Sequence, residues 1–294
     1  MSVASRRRLR DSAAMALTII PSGQACGARV TGVDLSEPLS ESAVADIRAA
    51  WLEHLVLAFP DQRMSDDDLE RFTLAFGPFG DDPFIAPIPG REHIIAVARA
   101  ASETGPIFAE AWHTDWSFQK IPPAGTCLYG IAIPPTGGDT LFANQYRALE
   151  EMPDELRRRI DGKRAIHSAR AGYARAGAYG ENDKGRTMDI RPSDEALATQ
   201  SHPFIRVHPE TGREALYGCA GYIIAVENMD PALGMTLLGD LYRWQTQHAF
   251  QYRHKWSAGT LLMWDNRALL HMATGGYSGH ERLLHRTTIG ARAL

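Results

Sequence analysis

Short apolar runs of strand length recur through most of this chain, and helical periodicity is confined to a few segments. His93–Ala98, Thr126–Ile133, Thr140–Ala143, Phe204–Val207, Glu214–Tyr217, Phe250–Trp256, Thr260–Trp264 and Leu283–Ile289 all read as strands. Leu55–Phe59 is a continuous apolar run closed by Pro60, as expected of a strand covered on both faces. Residues 16–35 form a short β element punctuated by Gly23, Gly27 and Gly32. Ser40 or Ser42 caps a helix running to about His54, with Val44, Ile47, Ala50, Trp51 and Leu55 at helical spacing. Ser65 caps a second, with Asp66, Asp67 and Asp68 at the positive end of its dipole and Gly77-Pro78 as its stop. Further helices are expected at 144–161 and 231–248. Many strands with few interleaved helices argue against a doubly wound sheet. They predict a mainly β protein, a two-sheet jelly roll with flanking helices.

The chain has 294 residues, 44% of them hydrophobic, enough for a sizeable core. No repeat or linker divides residues 16–294, which read as a single domain. Within it, residues 168–200 lack periodicity and carry Arg170, Gly172, Arg175, Gly177, Gly180, Gly185 and Arg186. A loop of that length suits a lid over a site. A net charge of −4 gives no basic footprint for nucleic acid. Three widely spaced cysteines, with no CxxC, fit the reducing cytosol. No apolar run approaches the ~20 residues of a membrane span. Arg6–Arg10 mark residues 1–15 as a disordered basic tail, because the apolar stretch from Met15 to Ile20 is too short for a signal sequence. Met15 competes with Met1 as the start.

Chemistry concentrates in two distant segments. Trp112–Asp115 contains His113 and Asp115, and Trp264–His271 ends on a second histidine. If the first segment is a strand, His113 and Asp115 share a face. With His271 they form two imidazoles and one carboxylate, the ligand set of a non-haem Fe(II) site. Asp265 competes as the carboxylate, although it suits the cap of the turn before Arg267. Beyond His271, Arg282 and Arg286 lie four apart on a strand, on one face and about 13 Å apart. One can hold a carboxylate bidentately while the other reaches a second anion. Thr140 is a candidate hydroxyl partner.

Taken in order, these residues resemble the taurine/2,4-dichlorophenoxyacetate dioxygenase family of Fe(II)/2-oxoglutarate enzymes. The resemblance rests on Val30–Leu35, Trp112–Asp115, Pro122–Ala124, Thr136–Thr140, His208–Gly212, Trp264–Arg267, His271 and Arg282–Arg286, which cover nearly the whole chain. It implies a double-stranded β-helix, a jelly-roll variant of the cupin kind. It implies Fe(II) on His113, Asp115 and His271, and 2-oxoglutarate chelating that iron with its far carboxylate on Arg282 and Thr140. O2 is the other co-substrate. Succinate and CO2 leave as a substrate C–H bond is hydroxylated, and a product carbon bearing S, O or N can then cleave. The resemblance also implies a dimer or tetramer.

The chain departs from the taurine branch where specificity is set. Arg286 matches the arginine that grips the sulfonate, but in other branches that position serves another anion or supports the co-substrate. Asp82 and Ile85 stand where that branch has a histidine and a tyrosine, and Ala109 stands for an asparagine. Trp116 replaces a smaller apolar residue and Tyr222 a phenylalanine. With Phe118, these aromatics predict a substrate larger and more apolar than taurine, still with an anionic group for Arg286. Aryloxyalkanoates, alkyl sulfate esters or sulfonates, and amino-acid derivatives remain open. Two other readings compete: a Zn(II) hydrolase on the same triad, which leaves Arg282 and Thr140 without a task, and an inactive ligand-binding relative.

Overall fold

The computed structural model describes residues 17–291; the expected basic tail and the choice of start lie outside them. The major sheet runs Thr18–Pro21 (β1), Ala28–Thr31 (β2), Val56–Phe59 (β3), Leu261–Asp265 (β13), Gly125–Ala132 (β5), Arg282–Ile289 (β15) and Ile95–Arg99 (β4). A minor sheet faces it, with Gln251–His254 (β12) and Leu269–Ala273 (β14) flanking Thr140–Asn144 (β6). A third sheet sets Ile223–Val226 (β11) and Thr199–Pro203 (β8) on either side of Arg164–Ser168 (β7). Ile205–Val207 (β9) and Glu214–Leu216 (β10) make a two-stranded ribbon. Pairing within the major sheet is antiparallel except between β2 and β3. This is the expected mainly β jelly roll.

Strand alternation explains the continuous apolar runs. On β3 and β13, Leu57, Phe59, Leu261 and Met263 point to one face, and Val56, Ala58, Leu262 and Trp264 to the other. The first face is covered by the helices Glu41–His54 (α1) and Asp66–Phe76 (α2), through Ile47, Trp51, Phe72 and Phe76. The second meets Phe142, Tyr252 and Leu269 of the minor sheet. Each such side chain contributes roughly 1.5–3 kcal/mol when fully buried. Ser40 caps α1 by accepting from Ala43 N, and Ser65 forms a capping box with Asp68.

Two expectations need correction. The helix expected over 144–161 is two, Gln145–Glu150 (α3) and Asp154–Ile160 (α4), because Pro153 lies between them and cannot continue a helix. Residues 168–200 are not one loop. They hold the one-turn helix Arg170–Tyr173 (α5), a 3₁₀ turn at Asp194–Leu197 and the start of β8. The last helix, Pro231–Gln245 (α6), packs against β11 in a satellite core with Leu149, Ile160 and Phe204. No described helix is long and apolar enough to cross a membrane.

Candidate metal and co-substrate site

The main chains of His113 and His271 form a lone antiparallel bridge between the Trp112 segment and β14. His113 is therefore held at one point rather than on a strand. The chain turns immediately after it, and Trp116 takes a left-handed conformation with φ of 47°. The expectation that His113 and Asp115 share the face of a strand is corrected accordingly; a turn, not strand alternation, brings them together. One oxygen of Asp115 lies 3.7 Å from Nε2 of His113 and 3.7 Å from Nε2 of His271. The three potential ligand atoms lie within 4.8 Å of one another.

The donor chemistry fits a divalent transition metal. His113 Nδ1 lies 2.8 Å from the carbonyl of Ala111, which can only accept, so that nitrogen carries the proton and Nε2 keeps its lone pair. Burial lowers the pKa of both imidazoles, that of His271 to about 3, so both are neutral. Burial pushes the Asp115 carboxyl up, but Arg286, the two histidines and Thr126 more than offset this and hold it at about 2. Its other oxygen accepts from Thr126 Oγ1 at 2.6 Å. Thr126 accepts from Asn266 Nδ2 at 2.9 Å, and Trp264 Nε1 donates to Asn266 Oδ1 at 2.9 Å. This chain fixes which oxygen faces the histidines, and it had no signal in the sequence beyond Thr126 lying on an expected strand. Asp265 stands apart, bound to Arg267 and His208.

Arg282 is 5% exposed. Its Nη2 donates to Gly138 O at 3.2 Å, while Nε has no partner and no carboxylate pairs with it among the described residues. Burial lowers its pKa. A buried, unbalanced guanidinium is costly unless an anion arrives. Gly137 and Gly138 adopt positive φ, 71° and 68°, in the turn that brings the Gly138 carbonyl there. Thr140 and Arg282 meet at the Trp256 indole, which donates to Thr140 Oγ1 at 3.0 Å and lies 5.9 Å from the guanidinium.

Arg286 faces a neighbouring cavity of about 180 Å³ that also exposes His113 and Asp115. Phe108 lines both this cavity and the cleft around Arg282. Trp116 and Tyr222 line the cavity, together with Tyr173 and Tyr179, which the sequence placed only within the 168–200 segment. Phe118 does not line it but packs behind, against Trp116 and Tyr222. Ile85 is buried away from it, bridged to Ile190. Asp82 lies behind Arg286 and accepts from it at 2.8 Å.

A jelly roll that gathers a His/Asp/His cluster, with a buried arginine lacking a counter-ion in the adjoining cleft that shares Phe108, defines the class of 2-oxoglutarate-dependent oxygenases. Residues 18–288 match the family described as taurine catabolism dioxygenase TauD, TfdA family, and the chain belongs to it. Among curated relatives, an (S)-phenoxypropionate/alpha-ketoglutarate-dioxygenase of Delftia acidovorans is 32% identical, over 87% of this chain and 89% of that protein. An alpha-ketoglutarate-dependent sulfate ester dioxygenase of Pseudomonas putida is 29% identical, over 94% and 90%. Among solved structures, a taurine dioxygenase from Burkholderia xenovorans superposes with a TM-score of 0.76 at 30% identity, covering 94% of this chain and 91% of that one. The enzyme is a 2-oxoglutarate-dependent dioxygenase of small molecules, and the hydrolase and ligand-binding readings are not favoured.

Proposed function

We propose that His113, Asp115 and His271 hold Fe(II), and that the enzyme hydroxylates a small organic substrate bearing an acid group, other than taurine. The observation that carries the reading is Arg282, buried without a counter-ion in a cleft that shares Phe108 with the cavity of His113 and Asp115, where two neutral imidazoles meet an ionised carboxylate. When bound, iron with 2-oxoglutarate and O2 supplies the oxidation of a C–H bond, with release of succinate and CO2. Arg282, with the Thr140 hydroxyl, takes the far carboxylate of 2-oxoglutarate. Thr126 holds Asp115 in its ligating orientation. Arg286 meets the acid group of the substrate, while Trp116, Tyr173, Tyr179 and Tyr222 enclose its apolar body and exclude water. The relatives act on a phenoxypropionate and on sulfate esters, both apolar bodies with an acidic head.

The same reading assigns residues 16–294 to one catalytic domain, with 168–200 as its lid. Ala171, Gly172, Tyr173, Ala178 and Tyr179 of that segment reach the cavity. The three cysteines, buried and unpaired, support a cytosolic enzyme. A dimer or tetramer is part of the proposal by family likeness alone.

Anaerobic addition of Fe(II) and 2-oxoglutarate tests the site. The wild-type enzyme is expected to develop a visible metal-to-ligand charge-transfer band, and the His113→Ala variant none. A well-folded wild-type protein without the band would refute the assignment.

A further inference from the structure

Arg286 is the one arginine or lysine lining the cavity among the described residues, and it is already paired. Asp82 Oδ1 accepts from Arg286 Nη2 at 2.8 Å and from Trp116 Nε1 at 2.7 Å. Asp82 Oδ2 accepts from Thr288 Oγ1 at 3.0 Å. The two charged side chains are only 6% and 9% exposed, so water does little to screen them. The guanidinium also lies over the Trp116 ring, 5.1 Å from its centroid, and the left-handed backbone at Trp116 accompanies that placement. Asp82 thus holds the cation and one aromatic wall in register. Asp115, 3.7 Å from Arg286 Nη1, is committed to the metal cluster. Asp82 is the carboxylate left to balance Arg286.

An acid group entering at Arg286 meets a guanidinium with a fixed carboxylate on its other side. In a poorly screened interior both are felt, and much of the attraction is cancelled. A neutral acceptor such as an amide carbonyl loses far less, because it brings no net charge to be repelled. Away from Arg286 and the metal ligands, the walls set Phe108, Tyr173, Tyr179 and Tyr222 among alanines and glycines and recognise apolar surface.

We propose that Asp82 is a specificity-determining residue, a built-in counter-ion that makes substrate selection depend on the apolar body and leaves the charge of the head group with little weight. An acid head is accepted but not required. The inference rests on the dioxygenase reading of the site.

The test compares phenoxyacetate with its neutral isostere phenoxyacetamide, by calorimetry on the anaerobic enzyme loaded with Fe(II) and 2-oxoglutarate. Wild type is expected to bind the two within about threefold. Asp82→Asn keeps the shape and removes the charge; it should bind phenoxyacetate at least tenfold more tightly and the amide unchanged. Adding Arg286→Met to that variant should erase the gain. Asp82→Ser serves the same purpose should the asparagine variant fold poorly. The proposal is overturned if wild type prefers the anion tenfold, if neither charge-removing variant gains affinity for it, or if both probes weaken together, which is the mark of a purely structural Asp82. Failure of the underlying reading shows separately, as the absence of the visible band in wild type before any probe is added.

Discussion

His113 donates its backbone N–H to the carbonyl of His271 at 3.0 Å, and His271 returns the bond at 2.7 Å. Two segments far apart in sequence are therefore clasped by main chain, and their side chains inherit the proximity.

The first prediction follows from that clasp. Replacing the His113 side chain leaves both backbone bonds in place, so His113→Ala should fold with a melting temperature close to wild type. Its Fe(II) affinity should fall by more than the roughly 10- to 100-fold that losing an outer-shell partner costs. Circular dichroism and anaerobic metal titration check the two halves. An unfolded variant would show that the imidazole, not the backbone, holds the segments together.

Thr126 makes a subtler case. Its hydroxyl donates to Asp115 at 2.6 Å and is itself held by Asn266. Thr126→Val keeps the β-branched shape on β5 and removes the donor that orients the carboxylate. Metal affinity is expected to drop about 10- to 100-fold with the fold retained. Wild-type affinity for Co(II) or Mn(II) in this variant would remove Thr126 from the account.

Local signals made much of the fold legible. Ser40 and Ser65 mark helix starts because a side-chain oxygen there satisfies amides the helix leaves free. Val56–Phe59 is apolar on both faces because helices cover one and the minor sheet the other. The triad itself was legible from residue type and order, whereas its geometry was not. The single bridge at His113 carries no periodicity, and the left-handed turn at Trp116 has no glycine to announce it. Strand β14 was missed because the polar turn before it resembles the end of a β segment. Asp82 and Arg286 meet across 204 positions of sequence, and nothing local encodes such a contact.

Arg282 should trade stability for function. Its guanidinium is buried, and Nε has no partner. Arg282→Met replaces that unbalanced charge with an apolar chain of similar reach. The metal-free, co-substrate-free enzyme should then be more stable, by about 1–3 kcal/mol. Affinity for 2-oxoglutarate should fall at least about 30-fold, as expected when one partner of a buried charge pair is removed. Urea unfolding of the apo-protein and titration of the visible band read the two effects. A variant that loses stability while keeping 2-oxoglutarate affinity would contradict the assigned role.

Buried neutral histidines set the acid limb of stability. Burial lowers the His167 pKa from 6.5 to about 3, with His202 and Arg206 adding to the effect. Burial lowers that of His254 from 6.5 to about 4, opposed by Asp139. Below pH 6.5 the unfolded chain takes up protons on these residues that the folded protein refuses. Their contribution is therefore fully present above pH 6.5 and is lost as pH falls toward 4 and then 3. Each adds a slope of up to about 1.4 kcal/mol per pH unit within its window. Unfolding free energy of the apo-enzyme should change little between pH 7 and 8 on their account and decline through pH 6 and 5. His167 meets Ser117 Oγ through Nδ1 at 2.9 Å and leaves Nε2 without a partner, so His167→Gln keeps an amide for the serine and removes the titration. That variant should lose stability between pH 6.5 and 4 less steeply than wild type, by about that slope. Parallel curves for the two proteins would mean that His167 takes up its proton as readily in the folded state as in the unfolded one.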